Sequence, residues 1–232
     1  MEIIYEDEVV IAVAKPAGLL SQQTRDPNRD HVVAKLRRKL ENRGEDEPYL
    51  ALHHRLDLGT SGVLVLAKDR AANKGLSTAF QEGEVTKIYR ALATVDGSQR
   101  PPIDDDFSVA NHLASDPEGP PGRQTSVRAG GDWAKTDFEV VRRAGLLWEL
   151  KAMPVSGRRH QIRVHLAERG LPIAGDELYG GCANEIGTQA PRMMLHAHRL
   201  MMPHPVKDTY LELEAPVPSS FERLMASVKR GQ

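Results

Sequence analysis

Apolar positions repeat with period two over most of this chain and with the helical period over a few stretches, so strands outnumber helices. "EIIYEDEVVIAVAKPAG" at 2 to 18 predicts a strand pair ending in the loop Lys15-Pro16-Ala17-Gly18. "DHVVAKLRRKLENR" predicts a helix over 30 to 43, with Val33, Leu36 and Leu40 on one stripe, Asp30 as N-cap and Gly44 as stop. A second helix follows Asp69, with Ala72, Leu76, Ala79 and Phe80 at helical spacing before Gly83. "VTKIYRALATV" alternates as a strand and places Tyr89 near its middle. Residues 96 to 123, rich in Pro, Gly and Asp, predict a loop insertion. "TSVRAG", "AKTDFEVVRR" and "LLWELKAM" read as strands. "SGRRHQIRVHLAERG" reads as a short helix with Ile162, Val164 and Leu166 inward and its arginines outward. "MLHAHRLMM" and "YLELEAP" are strands. "PSSFERLMASVKR" is a helix with a Ser219–Glu222 capping box and a buried stripe of Phe221, Leu224, Met225 and Val228. Strands and helices do not alternate regularly, so the predicted class is α+β, a largely antiparallel mixed sheet with flanking helices and loops, as one domain over 1 to 232.

The charge of −1 removes any global positive field, so a nucleic-acid partner would need local basic patches, and these are present. One cysteine, Cys182, excludes an internal disulfide and suits a reducing compartment. Neither a signal-peptide pattern nor an apolar run near the ~20 residues of a membrane span occurs. A monomeric cytoplasmic protein with no membrane partner is the expectation. The motifs of triphosphate loops, dinucleotide sites, zinc proteases and nucleophile elbows are absent. His196, His198 and His204 invite a metal reading, as do His160 and His165. The last two, however, lie roughly 140° apart on a helix. Hydrogen-bonded histidines near an anionic ligand are the better expectation.

"HHRLDLGTSGVLVLAK" at 53 to 68 sets one acid, Asp57, between basic residues and an apolar run. A loop aspartate beside Gly and Ser is ordinarily a turn former that bonds nearby amides. Arg55, and Arg158, Arg159 and Arg163 of "GRRHQIR", could instead pair with it and keep it ionised and oriented, as a nucleophile or base requires.

"HRLDLGTSG" at 54 to 62 closely resembles the signature of the RluA-type pseudouridine synthases. The resemblance extends to "AKPAGLL" at 14 to 20, "KIYRA" at 87 to 91, "AKTDFEVV" at 134 to 141, "GRRHQIRVHLAERGLPIAGDELYG" at 157 to 180 and "LHAHRL" at 195 to 200. It implies the pseudouridine synthase fold and isomerisation of uridine in a structured tRNA or rRNA stem-loop, without a cofactor. It implies that Asp57 acts during cleavage of the C1'–N1 bond, that Tyr89 lies against the base, and that Arg163 is the salt-bridge partner of Asp57. Arg55, or His54 beside it, would fill the place of the flipped base. Lys15, Arg158, Arg159 and His160 would complete the RNA contacts, with the basic face at Lys35, Arg37, Arg38 and Lys39 as further phosphate contacts or a solvated helix face. Arg159 stands where the family pattern has threonine, and no basic RNA-binding module precedes the first motif. RNA selection would then rest on loops such as 21 to 30 and 96 to 123. Rival readings are a non-catalytic RNA chaperone or ribosome-assembly factor on the same scaffold, and an aspartate-dependent nucleoside hydrolase.

Overall fold

The unbroken apolar run after "GTSG" becomes a strand buried on both faces. In the computed structural model, which describes residues 1–24, 26, 28–95, 104–181 and 189–229, the chain forms two compact units. The first comprises Met1–Lys87 and Ala197–Pro216, the second Ile88–His196 and Val217–Gln232.

In the first unit, β1 (Glu2–Glu6), β2 (Val10–Lys15) and β4 (Ser61–Ala67) pair antiparallel, with Lys15 opposite Gly62. The short β3 (Ala51–Leu52) pairs with β4, and β10 (Leu195–Pro203) pairs with β11 (Tyr210–Glu214). All seven residues of β4 are buried, which explains why its pattern is continuous instead of alternating. Gly62, with φ +119°, is needed where it stands: a Cβ there would lie 2.1 Å from the carbonyl oxygen of Ala197, backbone that cannot move aside.

Helix α1 (Val32–Glu41) starts one residue later than an Asp30 cap predicts. His31 caps it by accepting the Ala34 N–H, Val32 is buried in place of Val33, and Asp30 pairs with Lys35 and Arg38. Exposed ion pairs of this kind contribute little, so the predicted Asp30 cap was the wrong carboxylate role at nearly the right place. Helix α2 (Ala72–Gln81) packs on β4 through Leu76 and its neighbours, and Asp69 accepts the Ala71 N–H just before it. Asp7 ties the β1–β2 turn to the β10–β11 turn by accepting the N–H groups of Val9 and Val10 and bonding the His204 ring. Because His204 Nδ1 accepts the N–H groups of Val206 and Lys207, its Nε2 carries the proton given to Asp7.

In the second unit the order is β5 (Thr86–Thr94), β9 (Leu147–Pro154), β8 (Asp132–Ala144), β6 (Asp106–Ser115) and β7 (Gln124–Val127), with every registered pair antiparallel. Leu92, Phe138, Leu147, Leu150, Leu166 and Phe221 belong to its main core. Helix α3 (Gln161–Glu168) packs on β8 and β9, and α4 (Ser219–Lys229) packs on β8. The observed class is α+β with a largely antiparallel sheet, as predicted. The expected loop insertion at 96 to 123 is overturned in part, since Asp106–Ser115 is a ten-residue strand paired on both sides. Residues 96–103 and Cys182 lie outside the described residues. Glu222 of the predicted capping box pairs with Arg142, and the Ser219 hydroxyl accepts from Arg223.

Candidate active site

The loop between β3 and β4 carries Asp57 and is anchored through its backbone. Ser21 Oγ donates to the Leu56 carbonyl at 2.9 Å and accepts the Leu56 N–H at 3.1 Å. The Leu58 carbonyl accepts the Gly18 N–H at 2.8 Å, and the Asp57 carbonyl accepts the Thr60 N–H at 3.1 Å. Lys15 is only 1% exposed, and its ammonium donates to the carbonyls of Leu19 (2.7 Å), Pro16 (3.2 Å) and Leu58 (3.4 Å). A buried ammonium is tolerated when its donors are matched, and these carbonyls bind the first motif to the Asp57 loop. Lys15 therefore orders the loop, whereas the sequence suggests a phosphate contact. Asp57 itself is half-buried, Arg55 is exposed, and Leu58 beside the acid is 39% exposed.

His54 also departs from its expected role. Its ring stacks on Phe80 with centroids 4.4 Å apart, and Nε2 accepts the Val65 N–H at 2.9 Å. Burial pushes its pKa down to about 3, with Lys87 and His53 adding to the shift. This histidine holds the loop's N-terminal side, and Arg55 is the exposed member of the pair.

In the second unit the arginines of "GRRHQIR" separate. Arg158 and Arg159 are exposed, and Arg158 Nε donates to the Trp133 carbonyl at 3.1 Å. The Arg159 guanidinium lies against Gly122, where a Cβ would come within 2.7 Å of it. Arg163, expected to look outward with them, is 8% exposed. Its Nε and one terminal nitrogen grip both oxygens of Asp176 at 2.7 and 2.8 Å, and the guanidinium sits 4.9 Å from the centre of the Tyr179 ring. This two-point clamp fixes the guanidinium plane and assigns two of its three nitrogens to Asp176. Tyr179 is a second anchor: its hydroxyl accepts the Gln124 N–H at 2.8 Å and bonds His160 Nδ1 at 2.9 Å. His160 has φ +54°, a left-handed conformation rare outside glycine, and lies just before α3. Tyr89 is half-buried on β5 opposite Ala152 and packs against the main core.

Two further histidines are spent on internal bonds, His198 Nδ1 with the Ala215 carbonyl and His165 with Thr136 and Asn111. Asn111 Nδ2 donates to Glu168, so its oxygen faces His165 and accepts from Nε2–H. Nδ1 of that ring then accepts from the Thr136 hydroxyl, which in turn accepts from Gln161. Protonating His165 would break this ordered chain, and burial holds its pKa down at about 4.

Both His54 and His165 favour the neutral ring when folded, so the unfolded chain binds their protons first as pH falls below about 6.5. Stability is full above that value and is lost toward about 4 for His165 and about 3 for His54. Each should cost about 2 kcal/mol by roughly pH 5. Urea midpoints measured from neutral pH downward should fall through this window, and a flat profile would contradict both assignments.

Residues 9–168 match the family model for RNA pseudouridylate synthase. The chain is 35% identical over 216 residues to the dual-specificity RNA pseudouridine synthase RluA of Escherichia coli strain K12, covering 92% of each protein. It is 31% identical over 237 residues to the ribosomal large subunit pseudouridine synthase D of Neisseria meningitidis serogroup A, covering 99% of this chain and 61% of that one. The chain belongs to the RluA-type pseudouridine synthases. The fold agrees with that of human RNA pseudouridylate synthase domain containing 4, with a TM-score of 0.75 at 23% identity over 98% of this chain and 92% of that one. As an RluA-type enzyme it isomerises uridine in RNA to pseudouridine. The family match includes Lys15, Asp57, Tyr89 and Arg163 but stops before Asp176 and Tyr179. Residue-by-residue reasoning missed both of those, although they stand in the quoted stretch "IAGDELYG". Their signal is an acid and an aromatic shortly after a helix that carries an inward arginine.

Proposed function

We propose that Asp57 supplies the carboxylate that acts on the target uridine, with Tyr89 against the base and Arg163 as the cation opposing Asp57. The observation that carries this reading is the Asp57 loop, fixed at residues 56 to 58 by backbone bonds to Ser21, Gly18 and Lys15. A loop held in this way presents its acid in one orientation, which a reacting group needs and a solvated turn does not. In the reaction the C1'–N1 bond breaks, the uracil turns, and C5 bonds to C1'. C5 gives up its proton and N1 gains one, so atoms and charge balance without a redox partner or group donor. Tyr89 is the group we assign to the C5 proton. Arg163, its guanidinium plane fixed by Asp176, is the cation we assign to Asp57. Reaching the sugar requires the nucleotide to leave its stack, and the exposed Arg55 takes its place. Arg158, Arg159 and His160 complete the RNA contacts.

The substrate class we propose is a structured stem-loop of tRNA or rRNA, modified by a monomeric enzyme in the cytoplasm. Near-neutral net charge supports this, because it favours a particular folded site over broad attraction to RNA. Tritium release from C5 of uridine-labelled RNA, with pseudouridine mapping of cellular RNA with and without the gene, tests the reading. The expected result is release at a small set of unpaired uridines. Free uracil would indicate hydrolysis instead, and RNA binding with no product would indicate a chaperone.

A further inference from the structure

The outer face of the β7–β6–β8 ribbon carries side chains that packing among the described residues does not account for. Along β8, Ala134, Thr136 and Phe138 are buried, which turns Trp133, Lys135 and Asp137 to the opposite face. Register places Trp133 opposite His112, and His112 opposite Val127. These three side chains form one row across three strands. Trp133 is 45% exposed and His112 is exposed. A lone exposed apolar residue needs no cause, but an indole left wet forgoes one of the largest apolar burials a side chain offers.

Charge is graded along the same face. The next row holds Ala110 opposite Lys135, which pairs with Asp137 at 3.3 Å, and Asp106 opposite Glu139 lies farther along. At the Trp133 end, the Arg158 side chain is tied to the Trp133 carbonyl at 3.1 Å, and Arg128 follows Val127 in an exposed turn. Asp132 lies 3.8 Å from Arg158, an exposed pair that a phosphate could displace at little cost. The face thus offers a flat aromatic ring, with Arg158 against its backbone at one end and most of the acids toward the other.

A membrane surface would demand a larger apolar area, and this face has only a narrow strip. An unpaired nucleotide needs a π-surface for its base and a guanidinium for its phosphate, and both are here. We propose that this face is a stacking platform for an unpaired base of the RNA substrate other than the target uridine. Trp133 takes the base and Arg158 the adjoining phosphate. The proposal rests on RNA as the substrate and not on the role of Asp57.

The chain has two tryptophans, and Trp148 is buried with Arg143 covering its ring at 4.3 Å, so a fluorescence change on RNA binding reports Trp133. The experiment titrates the full chain carrying Asp57→Asn with a stem-loop RNA that has uridines in an unpaired loop. The same stem closed as a duplex is the control, and binding of both is followed by anisotropy of labelled RNA. The stem-loop should quench the fluorescence and the duplex should not. In the parent enzyme, Trp133→Leu should raise KM about tenfold or more, with the loss falling on KM instead of kcat, and Trp133→Phe should recover most of it. Unquenched fluorescence at saturating stem-loop, equal quenching by the duplex, or an unchanged KM in Trp133→Leu would overturn the proposal. Turnover surviving in Asp57→Asn would defeat the reading of Asp57 and leave the fluorescence result standing.

Discussion

Replacing Asp57 by asparagine should lower single-turnover pseudouridine formation by at least about 10⁴-fold while leaving the urea midpoint close to that of the parent. Asparagine is the informative choice because it is as good a turn former as aspartate. If Asp57 served only to shape the loop, the variant would turn over normally. The loop is fixed by Ser21 on Leu56, Gly18 and Lys15 on the Leu58 carbonyl, and Thr60 on the Asp57 carbonyl, and the substitution alters none of these bonds. What it removes is charge and the ability to attack a carbon or take a proton. Asp57→Ala should match it in rate. Activity within tenfold of the parent in either variant, by tritium release, would return Asp57 to the turn-forming role.

The strands and most helix positions could be read from periodicity because their inner faces are dominated by apolar residues, as in Val63–Ala67 of β4. β6 could not. Phe107, Val109 and Leu113 keep the alternation, but Asn111 breaks it, since that inner position bonds His165 and Glu168 instead of packing. A polar residue serving a buried network looks in sequence like a loop residue. The same limit hid the roles of Lys15 and His54, whose basic character suggests RNA although their partners are carbonyls and a backbone amide. Charge in a one-dimensional pattern carries no sign of whether water or protein surrounds it. The motifs located the Asp57 loop; only the fold showed which basic groups hold it in place.

The arginine of the third motif gives the other large effect. Arg163 and Asp176 form a buried two-point pair, and removing either partner leaves an uncompensated charge where water is scarce. Arg163→Met or Asp176→Leu should each cost about 3–5 kcal/mol in urea unfolding. Replacing both together should recover much of that loss, because a well-packed apolar pair in place of a buried ion pair is often neutral or stabilising. Turnover should behave differently. If Arg163 acts only by holding the fold, the double variant regains activity along with stability. If it also opposes the Asp57 carboxylate, the double variant is as stable as the parent or nearly so and still inactive, since no other group restores the cation. The two measurements, urea midpoint and single-turnover rate on the same four proteins, separate the outcomes by double-mutant cycle. A strong positive coupling in stability with none in rate is the expected pattern. Recovery of the rate in the double variant would confine Arg163 to structure and leave Asp57 to find its cation elsewhere.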